Sequence, residues 1–367
     1  MWDVDEAALE RLAIGAGILG TGGGGNPYLG KLHALQLVRA GLRVQVASLD
    51  ELPDDALVTS VGGMGAPVIG IERLKRGDEA LNAMRALERH IGSAFSHVIP
   101  GEIGGANAIS PMIVAAQSGL PIVDGDGMGR AFPELQMDTF SIDGIPAAPG
   151  AICDVRGHVA IFDGFADPVV LERYARAVTI EMGGSAGYAF PVMSGADVKR
   201  TAIPDTISLA ISAGDAVLTA RQHHDDPVDA VLAVTGGQRL FTGKIVDVDR
   251  RLSGGFARGV LSLDGAGSDQ GRSLTIDLQN EYLIARTGDG NVLAVVPDLI
   301  CLVDADTADP ITTEVVRYGL RVVVLGIPAP EQLKSSKALA VLGPTAFGYD
   351  VEYVPLPGVY GNAARVA

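Results

Sequence analysis

Three carboxylates and one guanidinium stand among glycines in Val123-Asp124-Gly125-Asp126-Gly127-Met128-Gly129-Arg130-Ala131-Phe132-Pro133-Glu134, directly after an apolar run. Leu120-Pro121-Ile122-Val123 reads as a short buried strand, and the carboxyl end of a strand is where open α/β sheets place their ligands. Glycines at 125, 127 and 129 permit positive φ and let backbone amides approach a ligand. Asp124 and Asp126, two apart, converge on one ligand if the turn folds them together. The structural alternative is an Asp-Gly turn whose carboxylates cap a helix starting near Arg130 and running to Glu134. If a metal binds, Asp124 and Asp126, with Glu102 or Glu134, form an all-oxygen set suited to a hard divalent cation such as Mg²⁺.

Composition bounds the partners of such a site. At 367 residues the chain exceeds one ordinary core, so two domains are expected. With 47% hydrophobic and 20% charged residues it can pack its cores and needs no long disordered region. No run of 18 apolar residues is present to span a bilayer, despite a mean hydropathy of +0.28. The start, Met1-Trp2-Asp3-Val4-Asp5-Glu6, lacks a basic region followed by an apolar stretch, and a cytoplasmic, soluble protein is expected. A net charge of −16 repels phosphate-rich partners, so nucleic acid is not expected. Cys153 and Cys301 are far apart in apolar settings and read as core thiols, with Cys153 the better nucleophile of the two.

The elements that must position the site alternate in the first half. Asp5 to Ala16 has a helical apolar stripe; Thr21-Gly22-Gly23-Gly24-Gly25-Asn26-Pro27 interrupts it, with Asn26 as N-cap and Pro27 at N1 of a second helix from about Tyr28 to Ala40. Strands follow at 44–47 and 57–61, then Gly62-Gly63-Met64-Gly65, a helix at 78–90, a strand at 97–99, the loop Gly101-Glu102-Ile103-Gly104-Gly105-Ala106-Asn107, a helix to Ser118, and the strand before Asp124. Strand-to-helix units ending in glycine loops predict a largely parallel sheet with its loops on one edge, hence one shared cleft. The four-glycine run follows a helix and lacks a downstream Gly-Lys-Ser/Thr, so neither a dinucleotide fingerprint nor a P-loop is indicated and no nucleotide is expected. Its amides at the start of the Tyr28 helix can still hold an anionic or carbonyl oxygen.

From about residue 165 the pattern changes. Helices at 169–181, 194–200 and 206–219 precede close-spaced strands at 239–248, 255–263, 273–279, 282–286, 292–296, 300–304 and 321–326, which predict an antiparallel sheet or barrel. The expected architecture is therefore an α/β domain with a mostly parallel sheet over 1–165 and a β-rich α+β domain over 166–367. His223-His224-Asp225-Asp226-Pro227 reads as a solvated helix end, because adjacent side chains diverge and do not converge on a metal.

Several words together resemble the S-methyl-thiohydantoin desulfurase-like family. They are Ile18-Leu-Gly-Thr-Gly-Gly-Gly-Gly-Asn-Pro-Tyr-Leu-Gly30, Gly62-Gly-Met-Gly-Ala-Pro67, Gly101-Glu-Ile-Gly-Gly-Ala-Asn107 and Asp124-Gly-Asp-Gly-Met-Gly-Arg-Ala-Phe-Pro-Glu-Leu-Gln136. Gly243-Lys-Ile245, Gly254-Gly-Phe-Ala-Arg-Gly259, Gln279-Asn-Glu281, Val296-Pro-Asp-Leu-Ile300, Thr313-Glu314 and Gly343-Pro344 extend the likeness over nearly the whole chain. The resemblance implies hydrolysis of a small cyclic amide or ureide, such as an S-methyl-thiohydantoin or a hydantoin-like ring. The alternative is a non-catalytic ligand-binding or regulatory subunit of a hydantoinase-type enzyme. Such hydrolysis needs an activated water, stabilisation of developing charge and an anchor for the planar ring. Glu102 or Asp124 is then the candidate base, and Arg130, oriented by Glu134, is the fork that reads the ring. The amides around Gly23 and Gly24, with Asn26, Met64 and Asn107, are candidate substrate contacts, and Asn280, Glu281 and Glu314 close the site from the second domain. A homo-oligomer and a hydantoinase-type partner are further expectations.

Overall fold

The computed structural model describes residues 1–66 and 69–361. Strands β1 (Trp2–Asp3), β2 (Gln45–Ala47), β3 (Leu57–Gly65), β4 (His97–Pro100) and β5 (Ile122–Val123) open the first half; β6 (Gly125–Asp126), β7 (Gly150–Cys153), β8 (Val159–Phe162), β9 (Ser185–Ser194) and β10 (Ile203–Pro204) follow. The first sheet has the order β1-β2-β5-β4-β3-β9-β7-β8, while β6 and β10 pair with each other. The neighbours β2, β5, β4 and β3 are parallel, and every other pairing in this sheet is antiparallel. The expected mostly parallel sheet is thus corrected to a mixed one with a parallel centre. The β7–β8 hairpin turns on Asp154, whose carboxylate accepts the amides of Arg156 (2.8 Å) and His158 (2.9 Å), and it lies in a stretch that the alternation of helix and strand signals passed over.

Helices α1 (Glu6–Leu19), α2 (Pro27–Arg39), α3 (Ile69–Glu72), α4 (Glu79–Ile91), α5 (Ala106–Ser118), α6 (Thr139–Ile142), α7 (Pro168–Glu181), α8 (Gly195–Thr201), α9 (Thr206–His223), α10 (Pro227–Thr235) and α11 (Ser336–Leu342) complete the helical set. Asp5 caps α1 and Asn26 caps α2 through the amides of Ala8 (2.7 Å) and Tyr28 (2.9 Å), so the two predicted helix starts hold. No helix spans 130–134, which corrects that expectation: Pro133 and the buried carbonyls around Arg130 hold this segment irregular. Gly62 to Gly65 is likewise the end of β3 and not a loop. It stays extended because β9 pairs with it, and Tyr188 of β9 lies where a side chain at Gly62 would be. Pro67 of that word lies outside the described residues.

The second half forms a seven-stranded antiparallel sheet from β11 (Gln238–Ser253), β12 (Phe256–Gly265), β13 (Ser273–Gln279), β14 (Glu281–Thr287), β15 (Val292–Val295), β16 (Leu299–Asp304) and β17 (Arg321–Ile327), in the order β15-β14-β13-β12-β11-β17-β16. It curls until β14 and β15 approach β16, around a core that includes Phe241, Leu261, Ile276, Tyr282 and Val324. The two halves interlock. β9 lies inside the first sheet, and α9 packs on α1 with no room for a side chain at Gly15 or Gly214, each of which meets a backbone carbonyl of the facing helix. The glycine runs around 23 and 104 interlock in the same way. Gly24 (φ +69°) rests on the Gly104 carbonyl, so any Cβ there would be both strained and in collision. No helix among the described residues is long and apolar enough to cross a membrane.

Candidate functional site

Asp124 extends from the end of β5 toward the start of α9. Its Oδ1 accepts the amides of Ile207 (2.9 Å) and Ser208 (3.2 Å), and its Oδ2 accepts the Ser208 hydroxyl. It is the cap of α9, which corrects its assignment as base or metal ligand, because the carboxylate is spent on free N–H groups at a helix start. Asp124→Ala should accordingly lower stability by about 1–2 kcal/mol in a denaturant titration while leaving ligand affinity as it was.

Asp126 is buried, and its recorded bonds run to other amides. Its Oδ2 accepts the amides of Ile103 (2.7 Å), Gly129 (2.8 Å) and Met128 (3.2 Å), tying the loop after β4 to the turn after β6. Burial pushes its pKa up to about 7 against those three amides. Asp124 and Asp126 therefore share no ligand, and the two-carboxylate metal site is corrected on that ground. Among the described residues no three His, Cys, Asp or Glu side chains converge as a metal site.

Arg130 is 0% exposed, and its guanidinium is saturated from inside the protein. It donates to the carbonyls of Ala131 (3.0 Å), Pro297 (3.1 Å), Asp298 (2.8 Å) and Tyr282 (3.3 Å) and to the Thr21 hydroxyl (2.9 Å). The assignment of Arg130 as the ligand's fork is corrected: it joins the two halves of the chain and has no donor left for a ligand. Glu134 does not pair with it and instead accepts from the Gln136 amide at 2.5 Å.

The loops nevertheless gather around one cleft of about 650 Å³. Of the expected contacts, Gly24, Asn26, Met64, Glu102, Asn107, Glu134, Asn280, Glu281 and Glu314 line it; Gly23, Asp124, Asp126 and Arg130 do not. Gly23 is covered by the Glu281 carboxylate, and its amide donates to Gly20, so it does not serve as the expected oxyanion donor. Asn26 and Asn280 border the cleft with occupied carbonyls, one capping α2 and the other accepting the Ala257 amide at 2.9 Å. Asn280 adopts φ +58°, the sharp turn that delivers Glu281 into the cleft.

Glu102 is the best-positioned ionisable group. The chain enters the Gly101–Gly105 loop from β4, and α5 starts immediately after it with Asn107 in its first turn. The Asn107 side chain grips the backbone of Gly63 with both ends, accepting from its amide (2.7 Å) and donating to its carbonyl (3.0 Å). The same Nδ2 donates to Glu102 Oε1 at 2.5 Å, and the Phe132 amide donates to Oε2 at 3.2 Å. Burial pushes the Glu102 pKa up to about 8, with Asn107 and the Phe132 amide opposing and nearby Asp126 adding to the rise. Glu281 and Glu314 are also buried and raised by desolvation, and Glu281 Oε2 has no hydrogen-bond partner. The cleft thus holds three buried acids whose pKa values burial raises, that of Glu102 to about 8.

Sequence reasoning passed over many lining residues, Lys75, Tyr188 and Arg176 among them. Lys75 follows α3 on an irregular stretch with no periodic signal. Tyr188 sits on β9, beyond the loop words, and is packed across Gly62 and Gly101. Arg176 of α7 pairs with Glu172 and donates to the Pro133 carbonyl at 2.9 Å, so it shapes the wall near Glu134. A buried Glu-Arg pair four apart on a predicted helix was the available signal for Arg176; nothing in the sequence marked Lys75. Cys153 and Cys301 are buried thiols whose pKa values burial pushes up to about 11 and about 12, which leaves neither as a nucleophile. His223 and His224 end α9 at the surface, matching the helix-end reading.

A two-domain α/β-plus-β protein with a polar cleft of this kind has a counterpart among known families. The S-Me-THD-like N-terminal domain matches residues 7–164 and the S-Me-THD-like C-terminal domain matches residues 166–356, so the chain belongs to the S-Me-THD-like family. A crystal structure of a protein from Chromobacterium violaceum is similar with a TM-score of 0.80 and 25% identity, over 97% of this chain and 100% of that one. No curated protein matches the chain.

Proposed function

We propose that the cleft hydrolyses a small cyclic amide or ureide of the S-methyl-thiohydantoin or hydantoin type, with Glu102 as its acid–base group. The observation that carries this reading is a buried carboxyl in the cleft wall, oriented by Asn107 and the Phe132 amide, whose pKa of about 8 lies near neutrality. Neutral Glu102 protonates a ring nitrogen as water adds to the adjacent carbon. As a carboxylate it then takes one proton of the added water and delivers it to the leaving sulfur, and the second water proton returns to Glu102 as the carbonyl forms, which restores the acid. Methanethiol departs and a carbonyl replaces the carbon–sulfur bond. Glu281, with one free carboxyl oxygen, is positioned to meet a ring N–H or carbonyl, and Asn107 acts by positioning Glu102. A cytoplasmic setting belongs to the same reading and is supported by the two free, buried thiols.

The test is turnover by the purified chain on S-methyl-thiohydantoins and hydantoins, with and without divalent cations. Glu102→Gln should lower kcat by about 10²–10⁴-fold while substrate still binds. The wild-type rate should fall as pH rises through about 8, where the acid is lost, and the variant's residual rate should not follow that limb. Binding without turnover in the wild type would establish instead the ligand-binding subunit of a hydantoinase-type enzyme. Sedimentation of the chain alone tests the expected homo-oligomer.

A further inference from the structure

Most edges of the two large sheets are covered. β1 is two residues long and carries Asp3, paired with Arg43 at 2.7 Å; the second sheet curls until β15 meets β16, and Val303 of β16 bridges to Pro310. β8 lacks such cover. Val159-Ala160-Ile161-Phe162 pairs with β7 on one side only and contains neither a charge nor a proline, the devices that ordinarily blunt a strand edge. The Asp154 amide donates to the His158 carbonyl at 3.0 Å, which closes the hairpin and fixes the alternation along it. Ala160 and Phe162 therefore turn their N–H and C=O toward β7, and Val159 and Ile161 turn theirs outward, where no backbone partner meets them among the described residues. The side chains of Val159 and Ile161 stay 40% and 36% exposed, on the α4 side of the sheet with Ala151 and Cys153. On the α7 side the rings of Phe162, Phe165 and Tyr174 follow one another in edge contacts of 6.2 and 5.4 Å, and Tyr174 is exposed. The two ends of the strand differ in charge. Exposed Arg156 precedes it and has no ion pair among the described residues, while Asp163 follows it, beside His90 of α4 at 2.9 Å.

We infer that β8 pairs antiparallel with β8 of a second copy of this chain, about a two-fold axis at Ala160, so that the two first sheets become one. In that register Val159 stands opposite the partner's Ile161, and the two exchange the N–H and C=O groups that point outward. A slip of one residue would set outward groups against inward ones and lose every bond. The same register lays the exposed Val159 and Ile161 side chains against those of the partner, and it brings Arg156 beside the partner's Asp163 at both ends of the seam. A second copy is the fitting occupant because the strand complements itself in hydrogen bonds, apolar surface and charge together. With a net charge of −16 on each copy, a contact without that ordered charge pairing would be repulsive. Val155, just before Arg156, lines the cleft, so the seam ends at the cleft's rim.

The experiment is sedimentation of the full chain across a dilution series. The wild-type chain should sediment as a dimer or an even multiple, and Ile161→Lys, which puts a charge on an already exposed position, should halve that mass without changing the circular dichroism spectrum. Arg156→Glu should raise the dissociation constant at least about tenfold, since the two-fold axis makes each reversal count twice, and adding Asp163→Lys should bring it back to within about threefold of wild type. Ala160→Cys meets its own copy across the axis and should form a covalent dimer on oxidation. None of these positions lines the cleft, so the outcome does not depend on the reaction. A monomeric wild-type chain overturns the inference, and so does an oligomer whose mass survives Ile161→Lys, because its contact would lie on another face. If Ile161→Lys fails to fold, the charge reversal and the cross-link decide: an oligomer with neither rescue nor covalent dimer overturns the seam.

Discussion

Arg130→Lys should destabilise the protein by about 3–5 kcal/mol, the scale found when a buried charged group loses its partners, and should act on folding and not on ligand recognition. The guanidinium gives planar donors to four backbone carbonyls and one hydroxyl at once, at a place closed to bulk solvent. Three of the acceptors, Tyr282, Pro297 and Asp298, belong to the second half of the chain, and Thr21 belongs to the glycine run of the first. An ammonium has three donors and no plane, so at least two acceptors are left bare, each costing about 1–3 kcal/mol. The Phe132 ring, 4.7 Å from the guanidinium carbon, loses its stacking partner as well. Denaturant titration of Arg130→Lys beside wild type measures the loss, and hydantoin titration of the folded variant should return wild-type affinity. A variant within about 0.5 kcal/mol of wild type, the worth of an exposed ion pair, would refute the clamp.

What made Arg130 stand out in the sequence is also what misled. A guanidinium among glycines beside carboxylates has the composition of a ligand loop, but the same composition closes a buried joint between two domains, where glycine lets carbonyls crowd around one donor fork. The sequence contains no sign of which carbonyls come near, because Pro297 and Asp298 lie more than 160 positions away. Asp124 was legible only in part: its alternative reading as a cap was correct in kind, yet the helix it caps begins at Thr206 and not in the residues that follow it. Local signals fared better. Asn26-Pro27 marked α2, and the periodic stripe marked α1, because caps and amphipathic faces are decided within a few residues. Glu102 and Asn107 were legible as cleft-lining residues, because they flank the turn from a parallel strand into a helix, where side chains converge at one sheet edge. Lys75 was missed because its place depends on the turn in which Glu79 accepts the amides of Arg76 and Gly77 and on open space over Gly63, neither of which has a sequence period.

The buried acids also set the direction of the protein's response to pH. Glu102 rises from an ordinary 4.5 to about 8, and Asp126 and Asp138 each rise from 3.8 to about 7, all chiefly through burial. Between those ordinary and raised values the folded chain binds protons that the unfolded chain has already released, so stability must fall as pH rises. Their contribution is complete below about pH 4 and is lost as pH climbs through about 7 to 8. Exposed or capping carboxylates run the opposite way: Asp197, held low by Ser194, Asp163, held low by His90, and Glu6, held low by Arg39, withdraw their support only as pH falls below the usual carboxylate range. The two trends place maximum stability near pH 4, below that of a protein whose carboxylates are all paired at the surface. One pKa unit is worth about 1.4 kcal/mol, and even a fraction of the three rises predicts a loss of at least about 3 kcal/mol between pH 5.5 and 8.5. The net charge of −16 adds repulsion in the same direction, but half-molar salt screens exposed charges and leaves buried acids unscreened, so most of the loss should survive salt. Glu102→Gln removes one titrating group and should flatten the upper part of the curve, between pH 7 and 8.5. Denaturant midpoints across this range, in low and high salt, decide the question: a flat wild-type profile would mean that these carboxyls ionise freely in the folded protein, and Glu102 would then lose its standing as an acid at neutral pH.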